Sequence, residues 1–432
     1  MIYIKRFFFL TFCVLFFACR KDNSIDTPTV QIFEPAGLQT FRVFDTLMVK
    51  GQVSDPQGLQ SINISLTNGQ SVQVLPSVQV PVTSNNMNFT WPYILSDIHL
   101  ASGQYYITVS ASNGTNTKYA YQEIYVDAAP TIREAVYAIT RNSAGVQTWI
   151  LDSAFHVSAG SSLNGNYCSS DISSYYQQLY IAAYDSGNVN ALTVPSGSPA
   201  WSLPGSNSST PFFTNVYSYG DAAYVSYYSG FIKYYDSKGV QQSVINVAAG
   251  YYPVKTFLWG KYLFVEEKTF SSSPENLTLY YSQSGAGYQQ CSLPGPVVAM
   301  YGMDNDDVFI FGNQPSGSPY IEKYSISGNI LYAPVLLPSA RLLSAAQLNP
   351  GEFLAGFSNG TVYQYTYNPS NFLTFITGVN ASHLRYDAVN NQLIVAAGKL
   401  VQEYNCSISS ATLLYSASMA DSVLDVQVLF NK

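Results

Sequence analysis

The chain has 432 residues, with 26 acidic and 19 basic side chains and a formal net charge of −7. A surface of that sign repels a phosphate backbone, so nucleic acid is not expected as a partner. Charged residues make up only 10% of the chain while Tyr occurs 36 times, a balance that suits strands better than helices.

In chain order, the first feature is an N-terminal segment with Lys5 and Arg6, an apolar run from Phe7 to Phe17, and small Ala18 directly before Cys19. Residues 1–18 read as a secretory signal that is removed, because an eleven-residue apolar run falls short of the roughly 20 residues that span a bilayer. Ala18-Cys19 resembles the lipobox of bacterial lipoproteins. That resemblance implies that Cys19 is lipidated and begins the mature chain, with the membrane as its first partner. Arg20-Lys21-Asp22-Asn23 is similar to the short tag that follows the lipidated cysteine in surface-displayed lipoproteins of some Gram-negative bacteria, which implies an outer-membrane, cell-surface location. Losing Lys5 and Arg6 leaves 17 basic against 26 acidic groups, a net charge of −9.

A lipidated tether over 19–28 leads to residues 29–127, where TVQIF, DTLMVKGQV, LQSINISL, NFTWPYI, GQYYITVSAS and YAYQEIYV alternate with turn residues. Short runs so spaced predict a small β-sandwich. SDPQGLQSINISL and LASGQYYITVSASNG resemble the bacterial immunoglobulin-like or cadherin-like modules that follow lipid anchors. Asp55 and Asp97 are read as solvated turn residues, not as a calcium site.

Asp127-Ala-Ala-Pro130 breaks that pattern, and residues 131–432 repeat. Strand cores VYAI, LYIA, AYVS, YLFV, VFIF, FLAG and LIVA begin at 136, 179, 223, 262, 308, 353 and 393, and the six intervals average about 43 residues. That period, with several strands in each unit, predicts a seven-bladed β-propeller. The strand after each core carries Tyr235, Tyr281, Tyr324, Tyr365 or Tyr404, with Trp149 and Leu192 in the first two units, which marks a packing slot between blades. A tight polar turn joins each core to the strand before it, making that strand the innermost. Only the first unit lacks one, and SVLDVQVLF at the C-terminus is read as its replacement, closing the ring so that no sheet edge stays free. The fold class is therefore all-β: an immunoglobulin-like sandwich followed by a propeller closed by the C-terminal strand.

The chemistry is sparse. Cys168, Cys291 and Cys406 lie more than 100 residues apart and only three histidines accompany them, which supports neither a disulfide framework nor a Cys/His metal site. No nucleophile elbow, phosphate-binding glycine loop or His-Glu-x-x-His is present, and no cofactor is implied. Asp304-Asn305-Asp306-Asp307 falls at an inner turn and is read as a solvated hairpin. The long loops opposite the short turns carry Tyr167, Phe212, Phe213, Tyr251, Tyr252, Phe270 and Tyr320, with Arg341, His383 and Arg385 near inner-strand starts. Flat apolar rings beside polar groups suit a glycan or an envelope protein partner. The expected role is a non-catalytic, surface-tethered binding or scaffold lipoprotein. The alternative is a carbohydrate-active hydrolase or lyase drawing carboxylates from Asp171, Asp221, Asp387 and Asp425.

Overall fold

A computed structural model describes residues 27–143, 145–206, 210–271, 275–333, 337–407 and 410–432. The segment read as a signal, Cys19 with its expected lipidation, and nearly all of the expected tether lie outside the described residues. The chain divides into two compact units, Met1–Pro130 and Thr131–Lys432, and every regular element described is a strand.

In the first unit, a three-stranded sheet (Thr29–Glu34, Thr46–Ser54, Asn86–Ile94) and a five-stranded sheet enclose one core. The five strands run in the order Gln39–Arg42, Thr117–Asp127, Gly103–Ser112, Ser61–Thr67 and Val78–Val80. Period-two alternation fills that core: Leu47, Val49 and Val53 point in from one sheet, and Ile62, Ile64, Leu66, Ile107 and Val109 from the other. Gly51 interrupts the first series because a Cβ there would lie 2.4 Å from the Gln31 carbonyl oxygen and 2.7 Å from the Phe89 ring. Buried Tyr93 keeps its hydroxyl satisfied, donating to Pro76 O at 3.1 Å and accepting from Leu66 N–H at 3.1 Å. Of the two turn aspartates, Asp55 is buried and not solvated as expected, because it accepts from Gln57 N–H and Asn113 Nδ2 within the frame, and Asp97 accepts from His99 N–H.

The second unit is seven four-stranded antiparallel sheets. The inner strands of blades 2 to 7 are Tyr167–Ser173, Phe213–Tyr219, Tyr251–Trp259, Val297–Gly302, Leu342–Asn349 and His383–Asp387, and each hydrogen-bonds to the strand that follows it. Blade 1 is closed by Val423–Phe430, which pairs with Arg133–Asn142 from Val423↔Thr140 to Phe430↔Arg133. The two ends of the unit thus form one ladder. Beside it, Arg133 lies 2.8 Å from Glu403 and 3.2 Å from Asp387, tying blade 1 to blade 7 with charges that are almost wholly buried.

Between blades, the recurring slot exists, with two corrections to its membership. The residues paired with equivalent core positions are Leu151, Leu192, Tyr235, Tyr280, Tyr324, Tyr365 and Tyr404. All seven are buried. In blade 4, strand alternation turns Tyr280 toward Leu263, Val265 and blade 3, whereas Tyr281 packs on the other face against Tyr262 and Tyr288. In blade 1, Leu151 pairs with Val136 and Trp149 sits two residues along the same face. Adjacent tyrosines, and a bulky Trp near a Leu, hide a one- or two-residue register error that only pairing exposes.

Candidate functional site: the axial channel and its rim

The inner strands of all seven blades surround a channel holding a cavity of 740 Å³. Its wall is unusually polar for a packed ring, and most of that polarity is spent between blades. Ser169 Oγ and Asp171 Oδ2 in blade 2 accept Val216 and Ser218 N–H groups of blade 3, at 2.7 and 2.6 Å. Asn215 Nδ2 donates to Thr256 Oγ1 of blade 4, and Lys255 Nζ to Val298 O of blade 5, at 3.0 and 2.7 Å. Tyr301 Oη donates to Ala345 O of blade 6, and Gln347 Nε2 returns a bond to Gly302 O. Ser344 Oγ donates to Ala381 O, at the entrance to blade 7. Every neighbouring pair of inner strands is joined by such a bond once the closing strand is included. Inner strands converge too closely for large apolar side chains at every position, so short polar side chains that reach the next backbone satisfy the wall.

The closing junction is the most charged part. Asp425 Oδ1 receives Arg385 Nη2 at 3.2 Å and Val426 N–H at 2.8 Å, and lies 3.3 Å from His383 Nδ1. Its Oδ2 receives Ser170 Oγ at 2.9 Å, Tyr167 Oη at 3.2 Å and Gln427 Nε2 at 2.9 Å. Gln427 Nε2 also donates to Ser170 O, which joins blades 1 and 2. Burial by itself raises the carboxyl, but the Arg385 guanidinium, with His383 and Ser170 behind it, outweighs burial and holds Asp425 well below the usual carboxylate range. Asp171 goes the other way. Enclosure in the channel pushes it up to about 6, against the Ser218 N–H bond and the more distant Arg385 charge.

Three of the sequence-selected binding residues, Tyr167, His383 and Arg385, therefore converge on one carboxylate contributed by the C-terminal strand. The other five do not join them. Phe213 is fully buried between blades 2 and 3, which removes it from any binding surface: as the first inner-strand residue its side chain enters the interblade core. Phe212 packs edge-on against Phe213 and Tyr227, with ring centroids 4.7 and 5.7 Å away. Tyr251 packs into the slot between blades 3 and 4. Tyr320 is also core, donating to Gly295 O at 2.6 Å. Arg341 is exposed beside a separate hollow of 590 Å³ near Gln314–Glu322. Of the four alternative carboxylates, Asp171 and Asp425 line the channel, Asp221 sits exposed in a turn at the far end of the strands, and buried Asp387 accepts from Val389 and Asn390.

Tyr252 has a setting that spacing did not show. Its ring lies 4.5 Å from Tyr228 and 5.3 Å from Phe270, and those two are 5.2 Å apart. Phe270 is 50% exposed, and Tyr184, 42% exposed, lies within electrostatic reach of Tyr228 and Lys268. A chain of backbone bonds fixes the base of this cluster, from Phe212 N–H to Tyr184 O and from Tyr228 N–H to Phe212 O. Tyr184 and Tyr228 follow their core strands by one residue, a signal present in the repeat but weak without pairing.

Residues 28–109 match the family described as "Bacterial Ig domain". No curated protein matches the chain. Among solved structures, a chain of "Crystal Structure of Mitotic Checkpoint Complex" is similar over 60% of this chain and 80% of its own, with a TM-score of 0.51 and 12% identity. "Crystal structure of WD40 beta propeller domain of Doa1" is similar over 62% of this chain and 88% of its own, with a TM-score of 0.50 and 11% identity. At such identities the likeness is one of fold, and it is a propeller fold.

Proposed function

We propose that this is a non-catalytic binding or scaffold protein, lipidated at Cys19 and held at the outer cell surface, whose propeller presents its loop face to a glycan or an envelope protein. The observation that carries the reading is the cluster of Tyr228, Tyr252 and Phe270 on that face, whose rings pack on one another and stay partly exposed. Rigid aromatic rings offer large contact area at low entropic cost, which suits both a sugar ring and a protein side chain. Of the four candidate carboxylates, Asp387 is locked in a turn and Asp221 lies at the opposite end, while Asp171 and Asp425 share the channel, where Asp425 is engaged by Arg385, Tyr167, Ser170 and Gln427 and Asp171 accepts Ser218 N–H.

The test is retention of the full chain on immobilised envelope glycans and on detergent-extracted envelope proteins, comparing the native chain with Phe270→Ala and Tyr252→Ala. Loss of retention with an unchanged melt supports the reading. Retention equal to the native chain would remove the cluster from the site. For the anchor, Cys19→Ala should abolish lipid labelling and release the protein from membranes, and membrane retention in that variant would overturn it.

A further inference from the structure

Among the described residues three basic side chains line the channel, and two of them face Asp425. Arg385 and His383 both lie against its Oδ1. Lys255 differs. It occupies the middle of the inner strand Tyr251–Trp259, half-buried in the wall, and its Nζ donates to Val298 O at 2.7 Å. Among the described residues no carboxylate lies within ion-pair distance of it. Its cross-strand partner Glu266 reaches the same stretch of blade 5, where Oε1 accepts Val297 N–H at 2.9 Å, and it is the nearest charge that supports the ammonium although it lies beyond ion-pair distance. An ammonium has three N–H donors, so one bond to a carbonyl leaves two unspent.

A lysine enclosed in protein without a matched anion is costly, because desolvation opposes its charge. Burial does lower the Lys255 ammonium from its ordinary value, and burial also pushes Glu266 up to about 7, which weakens the nearest compensating charge. The cavity volume falls within the roughly 300–1,000 Å³ of small-molecule sites. The cavity that Lys255 lines also carries Asn215, Thr256, Ser169 and Ser344, beside Tyr217, Phe257, Val298 and the carboxylate of Asp171.

We propose that the axial channel takes a small polyhydroxylated carboxylate, of the size and chemistry of an acidic monosaccharide, with Lys255 pairing its carboxylate and Asn215, which spends one amide N–H on Thr256, meeting a hydroxyl with its remaining amide capacity. The inference rests on the glycan reading of the loop face and narrows it, an acidic sugar residue entering the channel while the rim rings hold the chain behind it.

The experiment is calorimetric titration of the full chain with galacturonate, its methyl ester and galactose. The acid should bind about tenfold or more tightly than the ester and the neutral sugar, since a charge-assisted bond is at stake. Lys255→Met should erase that preference and Lys255→Arg should keep it. Equal binding of the three sugars overturns the inference while leaving the glycan reading intact. So does an absence of monosaccharide binding accompanied by retention on glycans that Phe270→Ala abolishes. Absence of both kinds of binding defeats the two together. If Lys255→Met does not fold, the comparison of acid with ester and with neutral galactose on the native chain decides alone, because the three share the sugar ring and only the acid carries a charge.

Discussion

The channel wall and the rim of the same face use their side chains in opposite ways. On the wall, Ser169, Tyr301, Ser344 and Gln427 each give or accept a hydrogen bond across a blade boundary, so their polarity is consumed in holding the ring. At the rim, Tyr228, Tyr252 and Phe270 pack on one another and leave ring surface to solvent. The difference teaches that a polar, charged channel is not by itself a site. In a closed ring of converging strands, polar groups are what the geometry requires, and function is better sought where a group has bonding capacity or apolar surface left over. Lys255 and the rim rings meet that criterion, and Asp425 does not.

The comparison is tested most severely at the closure. Deleting residues 423–432 removes the inner ladder of blade 1 together with Asp425 and Gln427, and exposes the edge of Arg133–Asn142. The truncated chain should lose the cooperative thermal transition of the propeller and aggregate. A cooperative melt at the full-length temperature would show that the closing strand is dispensable.

A smaller but still large effect is expected from Asp425→Asn. It leaves the Arg385 guanidinium without its counter-charge, at a cost of about 2–3 kcal/mol, tempered by the partial exposure of Arg385 to the channel. Because the Asp425 pKa is depressed in the folded state, its contribution is complete above the ordinary carboxylate pKa near about 4 and is lost as pH falls below it. Denaturant melts should therefore show native and variant chains converging in strong acid. Parallel curves from pH 7 down to pH 2 would mean that the wall network does not depend on this charge.

Two aromatic substitutions separate frame from surface. Tyr251→Ala should lower stability by about 2 kcal/mol, as expected for a half-buried ring in the slot between blades 3 and 4. Phe270→Ala should change stability by no more than about 0.5 kcal/mol while weakening retention on the partner about tenfold. A reversed order of stabilities would exchange the roles given to the two rings.

The smallest effect concerns Asp171. Its folded pKa is raised to about 6, so the folded state binds the proton more tightly, and stability should decline as pH rises from about 4 to 6. Asp171→Asn should flatten that segment of the stability profile. An unchanged slope would indicate that the channel solvates this carboxylate as well as bulk water does.

Much of the architecture was legible because it is written in periodicity. The 43-residue spacing of strand cores, the single unit without an inner strand and the unpartnered C-terminal run were enough to arrive at a closed ring of seven sheets. The recurring tyrosine was also visible, but its membership shifted at Tyr280 and Leu151, since alternation decides which face of a strand a residue takes and one step of register reverses it. The site was less legible. Phe213 and Phe212 are neighbours in one loop-like stretch, yet Phe213 is core and Phe212 only half-buried, a distinction made by where the inner strand begins.

By itself, then, the sequence determined the all-β class, the sandwich followed by a propeller and the way the ring closes, because these depend on local alternation and on repeats that each segment carries independently. Only the tertiary structure decided that Tyr167, His383 and Arg385 meet Asp425, that Tyr228, Tyr252 and Phe270 form one surface, and that Lys255 has no ion pair among the described residues. Those facts join residues up to 258 positions apart, as Tyr167 and Asp425 are. Which side chains meet across such separations is set by blade-to-blade packing, and no local spacing encodes it.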